Sequence, residues 1–173
     1  MPFIEVKKNQ YRVSRFVFFL SICLSISLFT LAQVTLKYRL LNGYFLSNEA
    51  TGSKGKPTLF VFEQVDRFDQ VFKPATTMSK RPDVPDFAKE MVIGIAVPPT
   101  TKALKLSISR VFVQDSTLTV RYIRMTDTTA GKTPQSFTKQ PVLLLAIPKQ
   151  TVLKTKLVEN GKVVQTIQKR DNE

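Results

Sequence analysis

The chain has no histidine and no tryptophan, and one cysteine in 173 residues. That cysteine, Cys23, lies inside the apolar N-terminal segment. From residue 33 onward there is therefore no disulfide, no thiolate nucleophile and no His or Cys metal ligand. Acid–base and nucleophilic catalysis then have only carboxylates, Ser and Lys to draw on. Carboxylates are scarce: 13 acidic residues stand against 26 basic ones, a net charge of +13. No Gly-rich phosphate loop and no Gly-x-Ser-x-Gly spacing occurs in the chain after residue 32. The basic residues never run more than two together, and no aromatic–basic motif of an RNA-recognition sheet is present, so nucleic acid is not an expected partner. No internal repeat is visible.

What is present begins with an export signal. Lys7, Lys8, Arg12 and Arg15 precede Phe16 to Ala32, which is apolar apart from Ser and Thr. Thr30-Leu31-Ala32 puts small residues where a signal peptidase reads them, and cleavage before Gln33 is expected. The alternative is an uncleaved inner-membrane anchor formed by residues 16–32, although a spanning helix needs roughly 20 apolar residues. Removing residues 1–32 takes away four positive charges and Glu5, leaving +10. That charge favours an acidic partner or a solvated lysine-rich surface.

The organising stretch is Asp83 to Val97. Its second half, Met91-Val92-Ile93-Gly94-Ile95-Ala96-Val97, has no polar side chain and stops at Pro98-Pro99. A run of strand length that is apolar on both faces predicts a strand covered on both sides. Gly94 inside it predicts the close approach of a backbone or a large ring. Val142 to Ile147, between Pro141 and Pro148, predicts a second such strand. Asp83, Asp86 and Glu90 are the tightest acidic group. They form a weak candidate metal site, since acids there also suit a loop or a helix start.

The other segments read as covering material. Val34 to Leu41 alternates and predicts one half-buried strand with Val34, Leu36, Tyr38 and Leu40 inward. Asn42-Gly43 predicts a turn, Tyr44-Phe45-Leu46 a short strand, and 48–57 an exposed loop. Thr58 to Phe62 predicts a strand. Val65, Phe68, Val71 and Phe72 then fall at helical spacing, predicting a short helix ended by Pro74. Asp86 to Lys89 predicts a helical turn. In 104–113 the apolar parity slips near Ser109-Arg110, which predicts a β-bulge. Asp115-Ser116 predicts a hairpin turn into the strand Thr117 to Met125, with Leu118, Val120 and Tyr122 inward. Residues 126–140 predict a long loop. Asn160-Gly161 predicts a terminal hairpin with Glu159 opposite Lys162, Val158 opposite Val163 and Leu157 opposite Val164. Arg110, Arg121 and Arg124 read either as an anion-binding patch or as basic protection of a sheet edge.

Several of these pieces, in this order, resemble a known family: Phe60-Val61-Phe62 with Val65 to Phe72; Pro85 to Val92; Leu118-Thr119-Val120 with Tyr122; and Ser136-Phe137-Thr138 leading to Pro141 through Lys149. The chain resembles the PrcB C-terminal domain-like family, a protease complex subunit, and related small exported proteins of Bacteroides-type bacteria. It departs from that family at Phe72, where many members have Trp, and at Pro98 to Ala103, where many have a Gly-Gly-aromatic turn. The resemblance implies an accessory role beside a surface protease and no catalytic residue.

The combined expectation is a mainly β chain with one short helix (β-rich α+β), folded as a single-sheet sandwich or half-barrel with a C-terminal β-hairpin. Residues 1–32 form the signal or anchor and 33–173 one domain. The expected function is that of a non-catalytic exported accessory protein, periplasmic or on the cell surface, contacting an envelope protein such as a protease. No catalytic, cofactor or metal residue and no cofactor is expected. Membrane contact is expected only through residues 16–32 if they are uncleaved. The alternative is a structural or anion-binding surface module.

Overall fold

The computed structural model describes residues 33–50, 55–75, 81–127 and 136–169. Residues 1–32, which carry the expected export signal, and residues 51–54, 76–80, 128–135 and 170–173 lie outside the described residues. The described chain is mainly β with one short helix, in several sheets that do not close into a barrel.

Eleven strands and one helix follow in order: β1 Val34–Thr35, β2 Arg39–Leu41, β3 Tyr44–Leu46, β4 Thr58–Phe62, α1 Val65–Val71, β5 Phe72–Pro74, β6 Glu90–Ala96, β7 Leu104–Gln114, β8 Thr117–Thr126, β9 Val142–Pro148, β10 Lys154–Glu159 and β11 Lys162–Gln168. They form a five-stranded sheet of order β1-β7-β8-β10-β11, a four-stranded sheet of order β2-β9-β6-β4, and a two-stranded ribbon β3-β5.

The four-stranded sheet lies between two apolar layers. On one face Leu59, Ile93, Ile95 and Leu145 pack with Val111, Leu118, Val120 and Leu157 of the five-stranded sheet. On the other, Val92, Leu144 and Ala146 pack with Phe62, Phe68 and Phe72. The two uninterrupted apolar runs, β6 and β9, are the two inner strands, paired antiparallel over their whole length. Each side chain buried there contributes about 1.5–3 kcal/mol. At Gly94 a Cβ would stand 2.7 Å from the Phe72 ring, so the aromatic layer rests directly on the β6 backbone.

Helix α1 presents Phe68 to this layer, while Val65 is 48% exposed. The helix does not run to Pro74. It ends at Val71, and the chain turns straight into β5, whose last residue is Pro74. Phe72 is extended at the helix C-terminus, which aims its ring at Gly94, and its backbone N–H still donates to the Phe68 carbonyl.

The predicted strand Val34 to Leu41 is two short ones in different sheets: β1 pairs with β7 and β2 pairs with β9. Crossing between layers breaks the alternation, so Val34, Tyr38 and Leu40 are exposed and Leu41 is buried. The bulge in β7 lies between Ile108 and Arg110, as the parity slip predicts. Both hairpin turns have positive φ at two residues, 49° and 55° at Asp115 and Ser116, 47° and 85° at Asn160 and Gly161. These are the mirror-image turns whose twist suits a two-residue hairpin.

The C-terminal hairpin joins the sheet through a parallel pairing of β10 with β8. Its register follows the expectation at Glu159–Lys162 and Val158–Val163, but Leu157 faces Gln165. Val164 is the extra residue, a bulge on the outermost strand. Bulges are common at sheet margins because they discourage edge-to-edge pairing.

Candidate functional site

The acidic group is structural. Asp83 Oδ2 accepts from the Asn42 backbone N and side-chain Nδ2, each at 3.0 Å. Asp86 Oδ1 accepts from Ala88 N at 3.0 Å, and Glu90 Oε2 from Asp86 N at 3.1 Å and Arg39 Nη2 at 2.9 Å. The three carboxylates tie the β2–β3 corner and the helical turn at Asp86 to the start of β6. Among the described residues no cluster of three His, Cys, Asp or Glu side chains is arranged to hold a metal ion.

The three arginines separate. Arg124 pairs with Glu159, Nη2 to Oε1 at 2.7 Å. The Tyr122 hydroxyl donates to the other oxygen of the same carboxylate. Burial, then the bond to Glu159, pushes the Tyr122 phenol well above its ordinary value. Asn160 completes this end: its Oδ1 accepts from Arg124 N at 3.0 Å, its Nδ2 donates to Arg124 O at 3.1 Å, and its own backbone N donates to Tyr122 O at 3.1 Å. The Asn160 side chain thus continues the β8–β10 ladder past the last strand residue.

Arg110 and Arg121 remain on the outer face of the five-stranded sheet. They stand directly opposite each other on β7 and β8, and both guanidinium groups lie over the Phe112 ring, at 5.2 and 5.3 Å from its centroid. β8 is an interior strand, so protection of an edge does not account for Arg121.

Sequence reasoning missed a cleft. β4 and β11 are the neighbouring margins of the two facing sheets, and Gln165 clips them together by accepting from Leu59 N at 2.7 Å. Toward Phe62 and Ile167 the margins part, leaving a wedge of about 350 Å³. Its floor is Val61, Met91, Val152 and Ile167, and its rim carries Gln64, Arg67, Leu153 and Gln168. At its far end Lys169 Nζ bridges both oxygens of Glu63, at 2.7 and 3.0 Å. Leu59 N–H points to the wedge side of β4, so Val61 N–H, two residues on, points the same way. The walls come from segments about 100 residues apart, and no local signal marks them. The one trace is Gln165, a polar residue at an inward position of β11.

The two long loops, 48–57 and 126–140, are described only at their ends. One end is fixed by the bridge between Thr100 and Lys139, with Phe137 exposed and Lys139 Nζ over its ring at 4.9 Å. No helix among the described residues is long and apolar enough to cross a membrane. Comparison with family models, with curated proteins and with solved structures finds no match to this chain.

Proposed function

We propose that this chain is an exported, non-catalytic binding protein of the cell envelope that seats an extended segment of a partner protein in the wedge between β4 and β11. The observation that carries this reading is the free margin of β4 above an apolar floor. An added strand would take its backbone bonds from Val61 and set alternate side chains on Val61, Met91 and Ile167, the mode by which many domains capture extended peptides. The resemblance to an accessory subunit of a surface protease supports the same role, and the charge of +10 after residue 32 would speed encounter with an acidic partner.

A photo-crosslinking residue at Leu153, 59% exposed on the rim, tests it in envelope extract. Capture of one defined protein should be lost in Val61→Pro, which removes the N–H on the wedge side while sparing the β6 ladder. Capture that survives Val61→Pro but fails when residues 126–140 become a Gly-Ser linker moves the contact to that loop. A peptidase, esterase or glycosidase activity that travels with the pure protein and vanishes on one Ser or Asp substitution overturns the non-catalytic reading. Intact mass of the exported protein reports whether residues 1–32 are removed.

A further inference from the structure

The five strands of the larger sheet contain a single carboxylate, Glu159, and it faces Tyr122 and Arg124 on the inner side. The outer side has none. Five cations alternate outward there: Lys105 and Arg110 on β7, Arg121 on β8, Lys154 and Lys156 on β10. Their parity is fixed by the buried inward residues Val111, Val120, Thr155 and Leu157. None of the five is ion-paired among the described residues.

The registers place these cations on a diagonal. Lys105 is level with Met125, Arg110 sits opposite Arg121, and Lys156 and Lys154 lie one strand further over, level with Thr119 and Thr117. From strand rise and strand spacing the row is about 28 Å long; Arg110, Arg121, Lys156 and Lys154 follow one another at roughly 5–8 Å, and Lys105 stands about 13 Å beyond Arg110. Like charges directly opposite across two strands repel. Here the Arg110–Arg121 pair is held by Phe112, and Arg110 Nη2 also donates to Thr35 Oγ1 at 2.9 Å. Two planar forks fixed on a ring, with no internal acid to satisfy them, are pre-organised for a planar anion.

We propose that this face is a track for a linear, carboxylate-bearing polysaccharide. A diagonal row suits an extended chain with an anion at every one or two sugar rings. Single-stranded nucleic acid would need a free ring to stack on, and Phe112 is only 5% exposed beneath the guanidinium groups. This proposal is independent of the wedge, which opens at the sheet margins.

The test is titration of the purified protein with polygalacturonate at low and high salt, beside dextran, poly-glutamate and phosphatidylglycerol vesicles. Polygalacturonate should bind at low salt and weaken as salt rises, and dextran should not bind. The pair Lys154→Gln and Lys156→Gln should weaken binding about tenfold, as should Arg121→Gln, with thermal melting used to confirm folding. The charge-matched pair Lys89→Gln and Lys149→Gln, neighbours at the end of the four-stranded sheet, should change it less than about twofold. Equal losses from the two pairs would reduce the effect to net charge and overturn the track. Tighter binding to vesicles or poly-glutamate would overturn the choice of a glycan, and no retention at low salt would end the proposal. Val61→Pro should leave polygalacturonate binding unchanged, which separates this surface from the wedge.

Discussion

The four-stranded and five-stranded sheets differ in what covers them. The first has an apolar layer on each face: the opposing sheet on one, the aromatic group around Phe68 and Phe72 on the other. The second has its apolar layer on its inner face, and its outer face carries a row of cations with Phe112, Thr119 and Val158 buried among them. A strand buried on both sides is committed to packing at every position. A strand buried on one side keeps half its positions for solvent or for a ligand. Stability should therefore be concentrated in the smaller sheet and recognition on the larger sheet and at the shared margin.

The harshest way to break that contrast is to remove the cover of the four-stranded sheet. Phe72 is wholly buried, and its ring meets Phe60, Phe62 and Phe68 at centroid distances of 5.6, 5.8 and 5.7 Å. Phe72→Ala should cost about 4 kcal/mol, read as a lower denaturant midpoint. Gly94→Ala attacks the same contact from below. Its Cβ would lie 2.7 and 2.9 Å from Phe72 ring atoms and 3.2 Å from Leu144 Cδ2, so a loss of about 2 kcal/mol is expected. Phe72→Leu in the Gly94→Ala background should recover part of that loss. Strict additivity would show that the two residues are not coupled.

The polar end of the larger sheet should respond less, and with pH. Tyr122→Phe leaves Glu159 paired with Arg124 and should cost about 1 kcal/mol. Because the folded phenol titrates above the unfolded value of about 10, its contribution is complete below pH 10 and is lost as pH climbs from there toward the folded value. Melting temperature should fall on the alkaline side of pH 10 in the parent, and the fall should be shallower in Tyr122→Phe. An identical slope in both proteins would remove Tyr122 from the account.

Effects on the scale of Tyr122→Phe are expected at the terminal hairpin. Asn160→Gly keeps the left-handed turn but loses two side-chain bonds to Arg124, at about 1 kcal/mol. Gly161→Val, at φ 85° with open space around it, should lose a similar roughly 1 kcal/mol through backbone strain alone. An unchanged melting temperature in both variants would mean that this hairpin does not share in the cooperative unfolding of the larger sheet.

Local chemistry determined much of this protein. Runs without polar residues identified β6 and β9 as doubly covered, because a strand of six or seven such residues turns apolar side chains to both of its faces. Gly94 announced the close approach of a backbone or a ring, a parity slip announced the β7 bulge, and Asn160-Gly161 announced the last turn, each because a side chain or its absence sets what the chain can do at that residue. Tertiary structure alone decided what depends on which strands become neighbours. It split Val34 to Leu41 between two sheets, joined β10 to β8 in parallel, and inserted Val164 as a bulge that shifts Gln165 opposite Leu157. The candidate surfaces follow from those choices. Val61 and Ile167 share a wedge, and Arg121 and Lys156 share a track, only through pairings between distant segments. Side-chain period reports which face is buried, but it carries no information about the partner strand.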